Sequence, residues 1–150
     1  MPTTGTQKKR RRRSNIVVQR RVAAAPSTRL LRGFALAAVT PGFEVTLRVV
    51  GAAESKRLNS MFRGRKLPTN VLSFSYDRRH GDVVLCHSVI KREARLQRKS
   101  LAAHYAHLVV HGILHLRGHG HARARDSARM ERSEIRILRR LGFANPYREG

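Results

Sequence analysis

Six of the eight histidines lie between His104 and His121, and three of them have the spacing of a metal site. His111 and His115 are four residues apart, so on a helix they share one face about 6 Å apart along the axis. Two imidazole nitrogens at that spacing can reach one zinc ion at ~2.0–2.1 Å. Gly118 tolerates the left-handed backbone that ends a helix, and the chain after it can return His121 as a third ligand. The spacing therefore predicts one zinc ion per chain.

The predicted site keeps one coordination position open. Three neutral imidazoles leave the fourth position of a tetrahedral zinc ion to water, whose pKa falls to roughly 7 in such sites. A structural zinc site is usually closed by four protein ligands, often cysteines, and the single cysteine, Cys86, is far away in the sequence. Zinc proteases of the His-Glu-x-x-His type place a glutamate base after the first histidine, and here that residue is Gly112. The pattern favours a catalytic site and disfavours a protease.

Three more residues are candidates for supporting the ligands. His104 and His107 continue the stripe of His111 at helical spacing, and we interpret them as packing against or hydrogen-bonding the ligands. Glu134 falls on the apolar face of a later predicted helix, where a carboxylate needs a partner. A hydrogen bond from Glu134 to the histidine-bearing helix is one interpretation, and a solvent-facing glutamate is the other.

The elements that must position these residues follow from hydrophobic periodicity and capping signals. Strands are predicted at 15–19, 43–50, 70–76 and 82–86, with a polar turn at 77–81. Helices are predicted from residues 26–28 to the stop at Pro41, then at 52–62, 88–97, 101–117 and 124–141. Because strands come early and helices late without strict alternation, the sequence predicts a single α+β domain with the metal site on a helix of its C-terminal half.

The charge of the chain points to a polyanionic partner. There are 32 Lys and Arg against 9 Asp and Glu, a formal net charge of +23. Such an excess attracts nucleic acid first and an anionic membrane surface second, although it also fits a generally cationic composition. Aromatic residues make up only 5%, so nucleic-acid binding is expected to depend mainly on charge. Residues 1–14 are predicted to be a disordered basic arm, which leaves 15–150 as the folded domain.

The compartment follows from what the sequence does not contain. A single cysteine allows no internal disulfide, so a reducing compartment is expected and Cys86 is interpreted as a small buried hydrophobe. No stretch approaches the ~20 apolar residues of a membrane span, and no membrane partner is predicted. We expect a cytoplasmic, bacterial protein. The Arg-rich start also fits a mitochondrial transit peptide, which is the minor alternative.

Several blocks of the chain, in one order from residue 15 to residue 147, resemble the YbeY family of endoribonucleases that process ribosomal RNA. They are 45–50, 53–55, 58–59, 62–64, 68–74, 81–86, 103–107, 111–121 and 141–147. Two departures stand out. Gly120 replaces an acidic residue that the family usually has before its last histidine, and the loop between Tyr76 and Gly81 is shorter than in many relatives.

The resemblance implies a zincin-like domain with a small mixed central sheet packed with helices. It implies zinc held by His111, His115 and His121, Arg63 as the family's functional arginine, and single-stranded RNA as substrate. Ribosomal RNA and the small ribosomal subunit are the implied partners. The sequence leaves the nucleophile open between water and the ribose 2′-hydroxyl. Two rivals also stay open: a non-catalytic RNA- or ribosome-binding protein braced by zinc, and a zinc hydrolase of another phosphoester.

Overall fold

The computed structural model describes residues 13–118 and 124–148, and the side chains from 127 onward in the second range. Four strands and five helices alternate irregularly along the described chain. In order they are β1 (Asn15–Arg20), α1 (Thr28–Ala38), β2 (Glu44–Val50), α2 (Ala52–Arg63), β3 (Val71–Asp77), β4 (His80–Cys86), α3 (His87–Leu96), α4 (Leu101–Leu116) and α5 (Ala124–Arg140). The predicted α+β class is confirmed.

Polar caps begin the two helices that form most of one layer. The Oγ atom of Ser27 accepts a hydrogen bond from the amide of Leu30 at the start of α1, at 3.1 Å. Ser100 does the same for the amide of Ala103 at the start of α4, at 3.0 Å. At the other end of α4, Gly118 has a φ of +87°, which a glycine adopts without steric cost. The predicted end of the histidine-bearing helix is therefore confirmed.

The sheet is mixed and has the strand order β1-β2-β4-β3. β1, β2 and β4 run parallel, and β3 pairs antiparallel with β4. Within the part of the chain that is described, β3 is thus an edge strand whose outer side pairs with no other strand. The strand predicted at 43–50 is observed as β2, and Val45, Leu47 and Val49 on one of its faces are buried together with Phe43, which precedes it.

Helices cover both faces of the sheet. The larger core lies under α1, α4 and α5, and α4 contributes its fully buried Tyr105, Val109 and Ile113 to it. A smaller core lies under α2, where Val50, Leu72 and Val84 pack together. Cys86 is buried as predicted. The histidine-bearing helix is therefore held against the sheet along much of its length, which makes it a rigid support for ligands.

The predicted turn at 77–81 is longer than the observed one. β4 begins at His80, so only Arg78 and Arg79 form the turn. The sequence pattern places Gly81 in the predicted turn, but in the structure this glycine lies in β4, beneath the end of α4. A Cβ atom there would lie 2.7 Å from Leu116 Cδ2 and 2.7 Å from Phe74 O, so the close approach of the helix requires glycine.

Two expectations concern the ends and the membrane. Apart from Arg13 and Ser14, the predicted basic arm lies outside the described residues. Among the helices that are described, none is both long and apolar enough to cross a bilayer.

Candidate metal centre and cleft

The helix α4 brings His111 and His115 together as the spacing predicts. Their Nε2 atoms are 3.0 Å apart and their ring centroids 4.5 Å apart. Two nitrogens that bind one tetrahedral zinc ion at ~2.0–2.1 Å stand about 3.3 Å from each other. Both side chains line a cleft, and that of His111 is 32% exposed. The pair therefore has the separation and the solvent access that a shared, open metal ion needs.

A buried carboxylate sets the orientation of His111. Glu134 of α5 is fully buried, and its Oε1 accepts a hydrogen bond from His111 Nδ1 at 2.8 Å. Its Oε2 accepts from His107 Nε2 and from the hydroxyl of Tyr147, each at 2.7 Å. Of the two interpretations of Glu134, the structure shows the hydrogen bond to the histidine-bearing helix. Because Nδ1 of His111 holds the proton, the lone pair on Nε2 is directed toward the cleft.

The carboxylate of Glu134 stays ionised in spite of its burial. Burial alone raises its pKa, but the hydrogen bonds from His107, His111 and Tyr147 outweigh that effect and lower the pKa to about 2. The pKa of Tyr147 is raised, first by its own burial and then by Glu134. An ionised carboxylate that holds the Nδ1–H of a histidine makes the other ring nitrogen a stronger metal ligand.

The same residues form a second group that could hold a metal ion. His107, His111 and Glu134 place ligand atoms within 4.8 Å of one another. In this group His111 would use Nδ1, whereas the pair with His115 uses Nε2. The ligand atoms of this group are engaged with one another in hydrogen bonds, and its carboxylate is shielded from solvent. The two arrangements are thus alternatives that share one histidine.

His104 contacts a different carboxylate. It is buried, and its Nε2 lies 3.0 Å from Oε1 of Glu93 on α3. The same oxygen accepts a hydrogen bond from Nδ2 of Asn70 at 3.0 Å. Burial lowers the pKa of His104, although Glu93 acts in the opposite direction. The ring of His104 is 6.2 Å from that of His107, but its hydrogen bond joins α4 to α3 and to the chain before β3.

Arg63 lines the same cleft as the histidine pair. It is the last residue of α2, and Gly64 follows it in the left-handed conformation with φ +69°. Its Nη2 donates to Ser73 O at 3.4 Å, a long contact that leaves the side chain exposed. The cleft has a volume of about 560 Å³. Its described lining consists of Asn59, Arg63, Arg65, Leu67, Thr69, Val71, Leu72, Ser73, Ser75, His111, His115 and Leu116.

The lining suits an anion. Arg63 and Arg65 bring positive charge to it, and none of the described lining residues is acidic. A guanidinium is permanently charged and presents a planar set of donors that matches a phosphate. The cleft can therefore hold a phosphate group in contact with its arginine side chains.

Two buried polar residues that sequence reasoning did not single out hold one wall of the cleft in place. Ser55 Oγ donates to Thr69 O at 3.1 Å and accepts from Thr69 N at 3.0 Å. Asn59 Nδ2 donates to Leu67 O at 2.8 Å. Both side chains are buried and four residues apart on α2, so they hold the loop that follows Arg63. The spacing of four residues could have indicated that they share one face of α2. Their hydrogen-bond partners could not be inferred, because these belong to a loop that folds back onto the helix.

Gly112 explains why the site has no base of the protease type. Its carbonyl accepts a hydrogen bond from Ser73 Oγ at 3.0 Å, which joins α4 to β3. A Cβ atom at this position would lie 2.8 Å from Val83 Cγ1 and 3.1 Å from Ser73 Oγ. The sheet thus occupies the space that a glutamate would need. The sequence indicates that the site lacks a protease-type glutamate base, and the close packing at Gly112 is the steric reason.

We expect Gly112→Ala to destabilise the chain by about 1–3 kcal/mol, because the added methyl group overpacks the contact between α4 and the sheet. The shift of α4 should also weaken metal binding at His111 and His115. Urea unfolding and zinc titration measure the two effects. Gly33→Ala in α1 is the matched control, since nothing lies within 4 Å of its Cβ position and helix propensity favours alanine by about 1 kcal/mol. Equal stability and zinc affinity in Gly112→Ala and the parent would contradict the packing argument.

The third predicted ligand is not placed. His121 and Gly120 lie outside the described residues, so the structure brings together two of the three predicted ligands.

Known proteins resemble this chain over most of its length. The family described as Endoribonuclease YbeY matches residues 10–142. The Endoribonuclease YbeY of Aromatoleum aromaticum is 49% identical over 128 residues, which cover 83% of each chain. That of Nitrosomonas europaea is 48% identical over 125 residues, covering 81% of this chain and 76% of the relative. The solution structure of TM1509 from Thermotoga maritima has a TM-score of 0.63 at 22% identity and covers 89% of this chain and 99% of its own, which shows a shared fold.

Proposed function

The chain belongs to the endoribonuclease YbeY family, and we propose that it is a zinc-dependent endoribonuclease that cuts single-stranded RNA during the maturation of ribosomal RNA. One observation supports this most strongly. Arg63, His111 and His115 line one cleft, and no acidic residue is among its described lining. A phosphodiester is the anion that such a cleft fits, and the curated relatives are named for cutting RNA.

We assign the ion to His111, His115 and His121. The convergence of the two Nε2 atoms and the hydrogen bond that occupies Nδ1 of His111 support this set. When bound, zinc supplies Lewis acidity toward a phosphodiester and activates water near neutral pH. In this proposal His107, Glu134 and Tyr147 do not bind the ion. They hold His111 in the orientation that presents Nε2 to the cleft.

The other residues of the cleft bind and orient the RNA. The guanidinium of Arg63 pairs with the non-bridging oxygens of the target phosphate and stabilises the charge that grows there during the reaction. Arg65 adds a second positive group to the same wall. Ser55 and Asn59 hold that wall in place before the RNA arrives, so little reorganisation is needed.

The high positive charge gathers the RNA. A net charge of +23 favours association with RNA through the release of counterions. The small ribosomal subunit is the proposed setting of the reaction, and the bacterial cytoplasm is its proposed compartment.

One observation favours a second candidate function. If the ion instead occupies the group of His107, His111 and Glu134, of which Glu134 is fully buried, the metal would brace α4 against α5. The chain would then be an RNA-binding protein without catalytic activity.

A cleavage assay tests the proposal. The purified chain should cut an end-labelled single-stranded RNA, should leave the same sequence intact as a duplex, and should lose activity with a chelator and regain it with zinc. The His115→Ala variant, purified in parallel, controls for contaminating nucleases. A 2′,3′-cyclic phosphate on the product would identify the ribose hydroxyl as nucleophile. Tight RNA binding without cleavage by the zinc-loaded chain would overturn the proposal in favour of the binding protein.

A further inference from the structure

An aromatic side chain next to Arg63 is exposed without an assigned role. Phe62 lies in the last turn of α2 and is 59% exposed. Its ring packs edge-to-face against Phe74 of β3, with centroids 5.1 Å apart and planes at 67°. This contact fixes the ring while more than half of the residue stays open to solvent. An exposed and immobilised ring can stack against another flat molecule at little entropic cost.

The surroundings of Phe62 are basic. Residues 52–70 contain five Lys and Arg and one acidic residue, Glu54. Glu54 is already paired with Arg48 and Arg57, so it is not available to neutralise the cationic side chains that follow Phe62 in the sequence. A flat ring surrounded by cations is complementary to a molecule that combines a planar base with a phosphate chain.

The position of Phe62 relative to the cleft suits the binding of single-stranded RNA. Ser73 faces α4, where its Oγ donates to Gly112 O, whereas Phe74 packs on the other face of β3 with the smaller core under α2. Arg63 reaches the backbone of the same strand at Ser73 O. Since β3 is an edge strand of the described sheet, a polynucleotide can pass over this edge with one phosphate in the cleft and a neighbouring base beyond it.

We propose that Phe62 is the stacking platform for the unpaired base next to the phosphate that Arg63 holds. This proposal rests on the proposed function and deepens it, because it assigns a structural reason for the choice of single-stranded RNA. A base that is paired inside a duplex has no free face for the ring. Stacking of one base on an aromatic side chain strengthens RNA binding by about 5- to 100-fold.

Steady-state kinetics of four chains test the proposal: the parent, Phe62→Leu, Phe62→Trp and Met61→Ala. We expect Phe62→Leu to raise KM for single-stranded RNA by about 5- to 100-fold and to keep kcat within about twofold, since stacking binds substrate and transition state alike. Phe62→Trp should keep the KM of the parent. Met61→Ala is the matched control, because Met61 is the adjacent exposed apolar residue at 67% exposure but has no ring.

A series of RNA substrates, each lacking a different single base, identifies which base stacks on Phe62. Removing the base on one side of the cleavage site should raise KM for the parent by the same factor and should not raise it further for Phe62→Leu. Equal KM values for the parent and Phe62→Leu, or additive effects of the variant and the missing base, would overturn the proposal. A fall in kcat alone would also overturn it, because the ring would then act by supporting Arg63.

The test remains decisive if the parent chain does not cleave RNA or if Phe62→Leu does not fold. If the parent does not cleave RNA, the proposed function is wrong, and fluorescence anisotropy with the same intact and base-lacking RNAs still measures the effect of Phe62 on Kd. If Phe62→Leu does not fold, Phe62→Trp and the base-lacking RNAs with the parent decide the outcome. An unchanged Kd for RNA would overturn the stacking role and would direct attention to a protein partner for this surface.

Discussion

Replacement of His115 by alanine is expected to reduce RNA cleavage about 10³-fold while the chain stays folded. The variant loses one of the two Nε2 atoms that lie 3.0 Å from each other and that we propose bind the ion. Lewis-acid stabilisation of a phosphoryl oxygen contributes several kcal/mol, and each ~1.4 kcal/mol is a factor of ten in rate. The measurement is the single-turnover cleavage rate, together with the zinc content of the purified variant.

The control for this prediction is another histidine. The ring of His80 contacts that of Tyr76 in a tilted arrangement, with centroids 5.1 Å apart, and His80 is not part of the described lining of the cleft. His80→Ala should keep its zinc and cleave within about twofold of the parent, as surface substitutions usually do. If His115→Ala cleaves as fast as His80→Ala, the histidine pair does not hold the catalytic ion.

Replacement of Arg63 by alanine is the second large effect. We expect a loss of about 10²–10³ in kcat, the range seen when one donor to a developing oxyanion is removed. Zinc content should not change, and stability should change by no more than about 0.5 kcal/mol, since the side chain is exposed. Arg63→Lys should recover part of the rate, because lysine supplies the charge without the planar pair of donors.

Arg92→Ala separates a local effect of Arg63 from a loss of general charge. Arg92 is exposed on α3 and lies outside the described lining of the cleft. This variant should retain the cleavage rate at moderate salt. If Arg63→Ala instead loses RNA affinity in proportion to its loss of cleavage, Arg63 is only a binding residue, and the non-catalytic alternative gains support.

Local sequence patterns predicted the elements well because they depend on neighbouring residues. The helix predicted at 101–117 is observed as Leu101–Leu116, since a serine cap begins it and Gly118 ends it. The order of the strands was not predictable in the same way. β4 lies between β2 and β3 although it follows both in the chain, and such pairing depends on contacts between distant segments.

In the candidate site, too, local geometry was predictable from the sequence, whereas contacts between distant segments were not. The proximity of His111 and His115 follows from helix geometry and was predictable. For Glu134 the sequence left two interpretations open, a hydrogen bond to the histidine-bearing helix and a solvent-facing side chain. The choice between them, and the identity of the partners His107 and His111, depend on how α4 and α5 pack. Ser55 and Asn59 were not singled out, since a polar residue on a helix gives no indication of the loop that it will hold.

The location of the bound ion tests the central claim most directly. In a crystal of the full chain grown with zinc, the anomalous difference map at the zinc edge should show one ion within about 2.0–2.1 Å of Nε2 of His111 and Nε2 of His115, with His121 completing the set. Nδ1 of His111 should still donate to Glu134. A peak enclosed by His107 Nε2, His111 Nδ1 and the carboxylate of Glu134 would contradict the account.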